Sequence, residues 1–304
     1  MLLEPLKPFE VAAYIGKKRG QKVIMEYLLC FGGIPKYLEE FDFNKSIQIN
    51  IDETCFRKTG FFVEEAQKIF YSQFREALVY RRIAKLVSKK PLNFKEISES
   101  LEMESGGGLK VYLDNLVMSG ILEKTPQIRN FKMGKTDKYV LSDEFLRYHL
   151  AFIEPHLTEI KKNLSQRKFD KFVLSSWASF LGRAFEQFCM KHRFELADLM
   201  GFGAKVVGCG PVLNNKPDGY QFDLVFIRKD SVLTLCEVKY QLSPVDTSVI
   251  RDMEQKIAKT VFPRGVTLEK VLISNQKPME SVLKSGYFHK VVTTEDIVNR
   301  KGFS

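Results

Sequence analysis

Three residues have the types and spacing of a chemical site. Asp223 lies inside the apolar run Phe222-Asp-Leu-Val-Phe-Ile227, and Glu237 and Lys239 lie inside Val232-Leu-Thr-Leu-Cys-Glu-Val-Lys-Tyr240. Both runs have the apolar character of central strands, where an ionised carboxylate is costly unless it is paired, hydrogen-bonded or bound to a cation. A hairpin turning at Lys229-Asp230-Ser231 sets Asp223 and Glu237 at equal distances from the turn, directly opposite each other on one face. Residues two apart on a strand share a face, so Lys239 joins them. Facing carboxylates repel, and a divalent cation between them turns repulsion into coordination. Magnesium, or manganese in its place, suits such a site because it takes one or two carboxylates, keeps several waters and bridges phosphate oxygens. The Lys239 ammonium would then orient or help deprotonate a metal-bound water and offset phosphate charge. A slip of one residue would separate the pair. A lone acid in a strand also fits an edge facing solvent, so the chemistry rests on the register.

The elements that must position these residues are those of an α/β unit. A long helix over Ser176–Phe194 precedes the two strands, and a helix over Asp246–Lys259, a strand over Glu269–Ser274 and a terminal strand and helix around Val291–Val298 follow. Gln255 in the following helix is a further candidate for the same site.

The rest of the chain has a different pattern. Val11 to Phe41 is expected to form two short helices broken at Gly32-Gly-Ile-Pro35, a piece too small to fold without something to pack on. Helical periodicity runs from Glu65 to Lys89, Asn93 with Glu96 makes a capping-box start for a helix to Leu101, and Leu109–Met118 forms a third helix ending at Gly120. The triple glycine Gly106–Gly108 is expected to be a flexible turn before that helix. A strand at Ile121–Glu123, a basic turn-rich excursion over Lys124–Asp137 and a strand at Lys138–Leu141 complete the order of a winged helix. Ser142-Asp143 caps a helix over Glu144–Phe152, and the charged run Glu159–Asp170 reads as a connector.

At 304 residues and 44% hydrophobic, the chain is long enough for more than one compact domain. The divisions read from its patterns are 1–60 (lid-like helices), 61–158 (winged helix) and 159–304 (the α/β unit). The formal charge of +10 favours a polyanionic partner, DNA ahead of an acidic membrane surface, because no basic amphipathic stretch carries a membrane-anchoring face. The third helix of the winged segment, with Lys110 balanced by Asp114, is a poor base reader. The wing residues Arg129, Lys132, Lys135 and Lys138, with Lys124 and the Arg81, Arg82, Lys85, Lys89 and Lys90 face, are better placed to hold phosphates without reading sequence. A solvated basic face used for protein contacts fits the same residues. The scattered, unpaired cysteines suggest neither a disulfide framework nor a zinc site, and the first ten residues lack a signal peptide's apolar run, so a reducing cytoplasm is expected.

The helix Trp177-Ala-Ser-Phe-Leu-Gly-Arg-Ala-Phe-Glu186 followed by Phe222-Asp-Leu-Val225 and Cys236-Glu-Val-Lys239 resembles the PD-(D/E)XK, or restriction-endonuclease-like, fold. The resemblance implies that Glu186 joins Asp223 and Glu237 as metal ligands and that Lys239 is the catalytic lysine. Phe31-Gly-Gly-Ile-Pro-Lys-Tyr-Leu38 and Tyr139-Val-Leu-Ser-Asp-Glu-Phe-Leu146 resemble the lid and winged-helix segments of archaeal-type AAA ATPases, whose C-terminal domain is related to that nuclease fold. Their P-loop core has no counterpart here: Gly134-Lys-Thr136 lacks the glycine a Walker loop needs five residues earlier, where Arg129 stands. Three expectations follow. The chain is a magnesium-dependent DNA endonuclease or exonuclease; or it is a non-catalytic DNA-binding or regulatory module, with any ATPase supplied by a separate chain; or it is an ATPase lid and winged helix without their base, in which case residues 11–41 should expose an orphaned apolar face.

Overall fold

The computed structural model describes residues 5–103, 107–162, 168–213 and 219–300, with Lys17, Gly107, Lys135 and Thr136 described by backbone alone. The chain opens with α1 (Pro8–Ile15), α2 (Gln21–Phe31), α3 (Pro35–Glu39) and α4 (Ile47–Cys55). Gly32, at φ 68°, ends α2, and Pro35 starts α3, as the Gly-Gly-Ile-Pro signal implies. Every residue of α2 from Ile24 to Phe31 is buried. That helix packs on elements from the middle and the end of the chain, so the apolar face expected to be orphaned over residues 11–41 is covered by the protein itself.

The expected continuous helix over Glu65–Lys89 is two helices, α5 (Phe62–Gln73) and α6 (Ala77–Val87). Phe74 turns extended between them, and its ring stacks on Tyr80 at 3.9 Å, a tertiary contact with no glycine or proline to announce it. The capping box is present at α7 (Phe94–Leu101): Asn93 Oδ1 accepts from the Glu96 N–H, and Glu96 returns the bond to the Asn93 N–H. Helix α8 spans Gly107–Met118, so two of the three glycines start the helix rather than a turn; Gly106 lies outside the described residues.

The stretch read as a basic excursion is mostly strand. β1 (Leu122–Arg129) and β2 (Lys132–Leu141) form a long hairpin whose turn residues, Asn130 and Phe131, both adopt positive φ. Asp143 caps α9 (Glu144–Tyr148) through the Leu146 N–H, and a π-helical turn, His149–Ile153, follows. The charged run is more than a connector where it is described. Ile160 of α10 (Leu157–Lys162) and Lys168 and Phe169 of α11 (Lys168–Phe172) are buried, with the Lys168 ammonium bonded to the Phe56 carbonyl.

One mixed seven-stranded sheet takes strands from Leu122 to Thr293, in the order β2-β1-β3-β4-β5-β6-β7. It adds β3 (Val206–Leu213), β4 (Gln221–Arg228), β5 (Val232–Lys239), β6 (Thr267–Ser274) and β7 (Lys290–Thr293). Helices α12 (Leu174–Lys191) and α13 (Arg193–Met200) precede β3, α14 (Ser248–Ala258) links β5 to β6, and α15 (Glu280–Lys284) and α16 (Thr294–Val298) flank β7. α12 is held by an apolar stripe at helical spacing: Trp177, Phe180, Leu181, Ala184, Phe185 and Phe188. The architecture is mixed α/β. No helix among the described residues is long and apolar enough to cross a membrane.

The β1–β2 hairpin is no free wing. Ile128 pairs in parallel with Val212 of β3, and Met133 lies where a Cβ on Gly208 would sit, 2.5 Å from its sulfur. A Cβ on Gly210 would meet the Pro126 carbonyl at 2.9 Å. β3 therefore needs its Gly-Cys-Gly sequence so that the hairpin can lie close to it.

Candidate active site

Strands β4 and β5 pair antiparallel with Leu224 opposite Cys236, Val225 opposite Leu235, Phe226 opposite Thr234 and Ile227 opposite Leu233. This is the register of a turn centred on Asp230. The ladder stops one step before Asp223 and Glu237. There Asp223 Oδ2 accepts a 2.9 Å hydrogen bond from the Val238 N–H, and Gln221 Nε2 donates to Oδ1 at 3.3 Å. On its other side β4 is bulged: Gly210 faces Val225 and Val212 faces Phe222, so Asp223 and Leu224 together oppose Pro211. A bulge re-aims the side chain it carries, and here that side chain is Asp223.

Glu237 is completely buried. Its carboxylate is gripped by two ammonium groups: Lys239 Nζ at 2.8 Å, and Lys256 Nζ from α14 at 2.8 Å to Oε1 and 2.6 Å to Oε2. Glu186, on α12, comes to the same place from the other side. Glu186, Asp223, Glu237 and Lys239 line one cleft of about 460 Å³ with Gln221, Asp252, Gln255, Lys256 and Lys259. Gln255 thus lies on the wall, while its neighbour Lys256 makes the closer contact. Nothing in the spacing of Met253-Glu-Gln-Lys256 singles out the lysine; its role depends on how α14 is set against β5.

The electrostatics follow from burial and crowding. Loss of water, then the charge of Asp223, raises the Glu186 carboxyl to about 7. Loss of water, then the charge of Glu237, raises Asp223 to about 6. Burial works against the Lys239 ammonium, but the charge and hydrogen bond of Glu237 outweigh it, so its pKa rises and it stays a cation at neutral pH. The cleft therefore holds crowded carboxylates with more negative charge than burial favours, beside fixed ammonium groups. Hard oxygen donors are the kind magnesium takes, and Asp223 and Glu237 are the carboxylates that could hold it. Among the described residues no three His, Cys, Asp or Glu side chains are grouped to hold a metal ion.

The wing residues lie apart from this cleft. Arg129 and Lys132 are exposed and face each other at the hairpin's end, and Lys138 lies six residues back, opposite Thr125. The Lys135 side chain is outside the described residues. Three other cations of the expected basic face are engaged: Arg81 and Lys85 with Glu154, and Lys124 with Asp114.

Residues 149–252 match the family DUF234, given as archaeal and bacterial proteins of unknown function. That span contains Glu186, Asp223, Glu237 and Lys239 and stops short of Lys256. The chain is 23% identical over 258 residues to the uncharacterized protein MJECL04 of Methanocaldococcus jannaschii, a match covering 84% of this chain and 56% of that one. The chain thus spans about half the length of this relative. Among solved structures, protein VC1899 from Vibrio cholerae overlaps 84% of this chain and 55% of its own at 10% identity, with a TM-score of 0.30.

Proposed function

We propose that this protein is a magnesium-dependent nuclease that hydrolyses phosphodiester bonds in DNA, on a PD-(D/E)XK-like core. The observation that carries the reading is the convergence of Glu186, Asp223, Glu237 and Lys239 on one cleft, with the carboxyls of Glu186 and Asp223 raised by burial and crowding. Asp223 and Glu237 would hold the metal, which when bound acidifies a coordinated water and offsets phosphate charge. Lys239, kept protonated by Glu237, binds phosphate oxygens. Glu186, titrating near neutrality, exchanges a proton with water or with the leaving oxygen. Plasmid nicking with magnesium or manganese tests this: the wild type should cut and Asp223→Ala should not. Equal activity in the two proteins would overturn the reading.

A second reading is favoured by the Lys239–Glu237–Lys256 contacts, which neutralise Glu237 without a metal. On that reading the chain is a non-catalytic DNA-binding or regulatory module, and any ATPase activity belongs to a separate partner. The two readings part in a magnesium titration followed by thermal unfolding. A shift in Tm that Asp223→Ala abolishes supports the nuclease, and no shift in either protein supports the module.

A further inference from the structure

The register of the sheet fixes where the wing tip stands relative to the cleft. Ile128, Val212 and Phe222 occupy one row across β1, β3 and β4, and their side chains meet in one apolar cluster with Phe131, Val225 and Met253. Neighbours along a strand point to opposite faces. Arg129, Leu213 and Gln221 therefore form an adjacent row on the other face, and Lys132 extends it onto β2 by pairing with Arg129. All four are exposed. With strands about 4.8 Å apart, Arg129 stands about 10 Å and Lys132 about 14 Å across the sheet from Gln221, the residue whose amide bonds Asp223.

That spacing is held rigidly. Phe131 is buried at the hairpin turn with its ring 5.0 Å from Phe262, Met133 and Pro126 are seated on the two glycines of β3, and Arg193 of α13 bonds Glu123 at the hairpin's base at 2.6 Å. Neither Arg129 nor Lys132 is held by an acid in an ion pair among the described residues. Two cations in no ion pair among the described residues thus stand at a fixed distance from an anionic cleft, which is the arrangement that holds a polyanion's backbone while leaving one bond over the acids.

We propose that Arg129 and Lys132 form a phosphate clamp for a DNA duplex that enters the cleft, gripping the backbone about three to four nucleotides from the bond lying over Asp223. The clamp rests on the DNA-binding part of the function proposed above and is independent of cleavage. Phosphates three to four steps along a strand are about 10–14 Å apart along the helix axis, matching the span from Gln221 to the two cations.

Equilibrium binding of a fluorescent duplex of about 20 base pairs in EDTA, across a salt series, tests the clamp without any cleavage. Arg129→Ala/Lys132→Ala should bind roughly tenfold more weakly and lower the slope of log affinity against log salt by about 2, since each lost phosphate contact removes about 0.9. Lys58→Ala/Lys68→Ala, which removes the same charge from two exposed residues of the N-terminal helical segment, should leave that slope unchanged. Both double variants should unfold at the wild-type temperature. Equal losses in the two would mean diffuse attraction and overturn the clamp, as would a wild-type protein that does not bind duplex at low salt. If the clamp variant loses the slope while no protein cuts DNA, the clamp stands and the nuclease reading falls.

Discussion

Two hairpins of one sheet carry opposite charges and solve opposite problems. The β4–β5 hairpin bears Asp223 and Glu237 in the sheet's interior, where each charge must be met by a neighbour: a backbone N–H for Asp223, two ammonium groups for Glu237. The β1–β2 hairpin bears Arg129 and Lys132 at the sheet's end, where water solvates them. What must be buried there is apolar instead, and Phe131 meets that need. Charge inside a sheet is constrained by its partners, whereas charge at an edge is free and its backbone must be anchored.

The comparison fails most visibly if Glu237 can be removed cheaply. Glu237→Ala leaves Lys256 and Lys239 facing each other without their shared counter-charge and should destabilise the fold by about 3 kcal/mol in urea unfolding. Adding Lys256→Met should restore part of that loss, because the strain comes from the unpaired ammonium. A single variant as stable as the wild type would show that the triad contributes nothing.

For the edge hairpin, Phe131→Ala should cost about 2–3 kcal/mol, since Phe131 is only 6% exposed and its loss leaves a gap against Phe262. Hydrogen exchange should rise in β1 and β2 while β5 and β6 keep their protection. Equal loosening of all four strands would contradict the idea that this ring anchors the hairpin locally.

The acids make a prediction in pH. The folded-state pKa of Asp223, about 6, lies above its ordinary value of 3.8, so the stability it contributes is complete below pH 4 and lost as pH rises through 6. Asp223→Asn removes that loss. It should match the wild type near pH 3.5 and exceed it by about 2–3 kcal/mol at pH 8, measured by denaturant unfolding without metal. Magnesium should close the difference at pH 8 by stabilising the wild type alone. A variant less stable than the wild type at pH 8 would show that the Asp223 charge is not under strain. The smallest effect belongs to the edge: Arg129→Ala should change stability by under about 0.5 kcal/mol, as expected of a solvated side chain.

Of the site, the part carried by one hairpin was legible in the residues. The turn at Asp230 and the alternation of β4 and β5 imply the register seen, with Asp223 and Glu237 at the ladder's open end. The capping box at Asn93, the Gly-Gly-Ile-Pro break and the Asp143 cap are likewise local, because each is a hydrogen bond or dihedral within a few residues. β3 is not legible in the sequence, because Val206-Val-Gly-Cys-Gly-Pro-Val-Leu213 looks broken by its glycines and proline. Those glycines are there for a strand that lies more than 70 residues away in sequence. The break at Phe74 is hidden for a related reason, since its ring packs on Tyr80 and no breaker residue marks it.

By itself the sequence determined which charges are trapped in apolar strands, where the capped helices at Asn93 and Asp143 start, and that one hairpin turning at Asp230 carries both Asp223 and Glu237. These are outcomes of spacing, alternation and local hydrogen bonds, which act over a few residues. Tertiary structure alone decided that Lys256 reaches Glu237, that a bulge at Asp223 turns its carboxyl into the cleft, and that the basic hairpin is a fixed edge of the same sheet. Each of those depends on side chains from distant segments competing for the same space and the same charge, and no local pattern records the result.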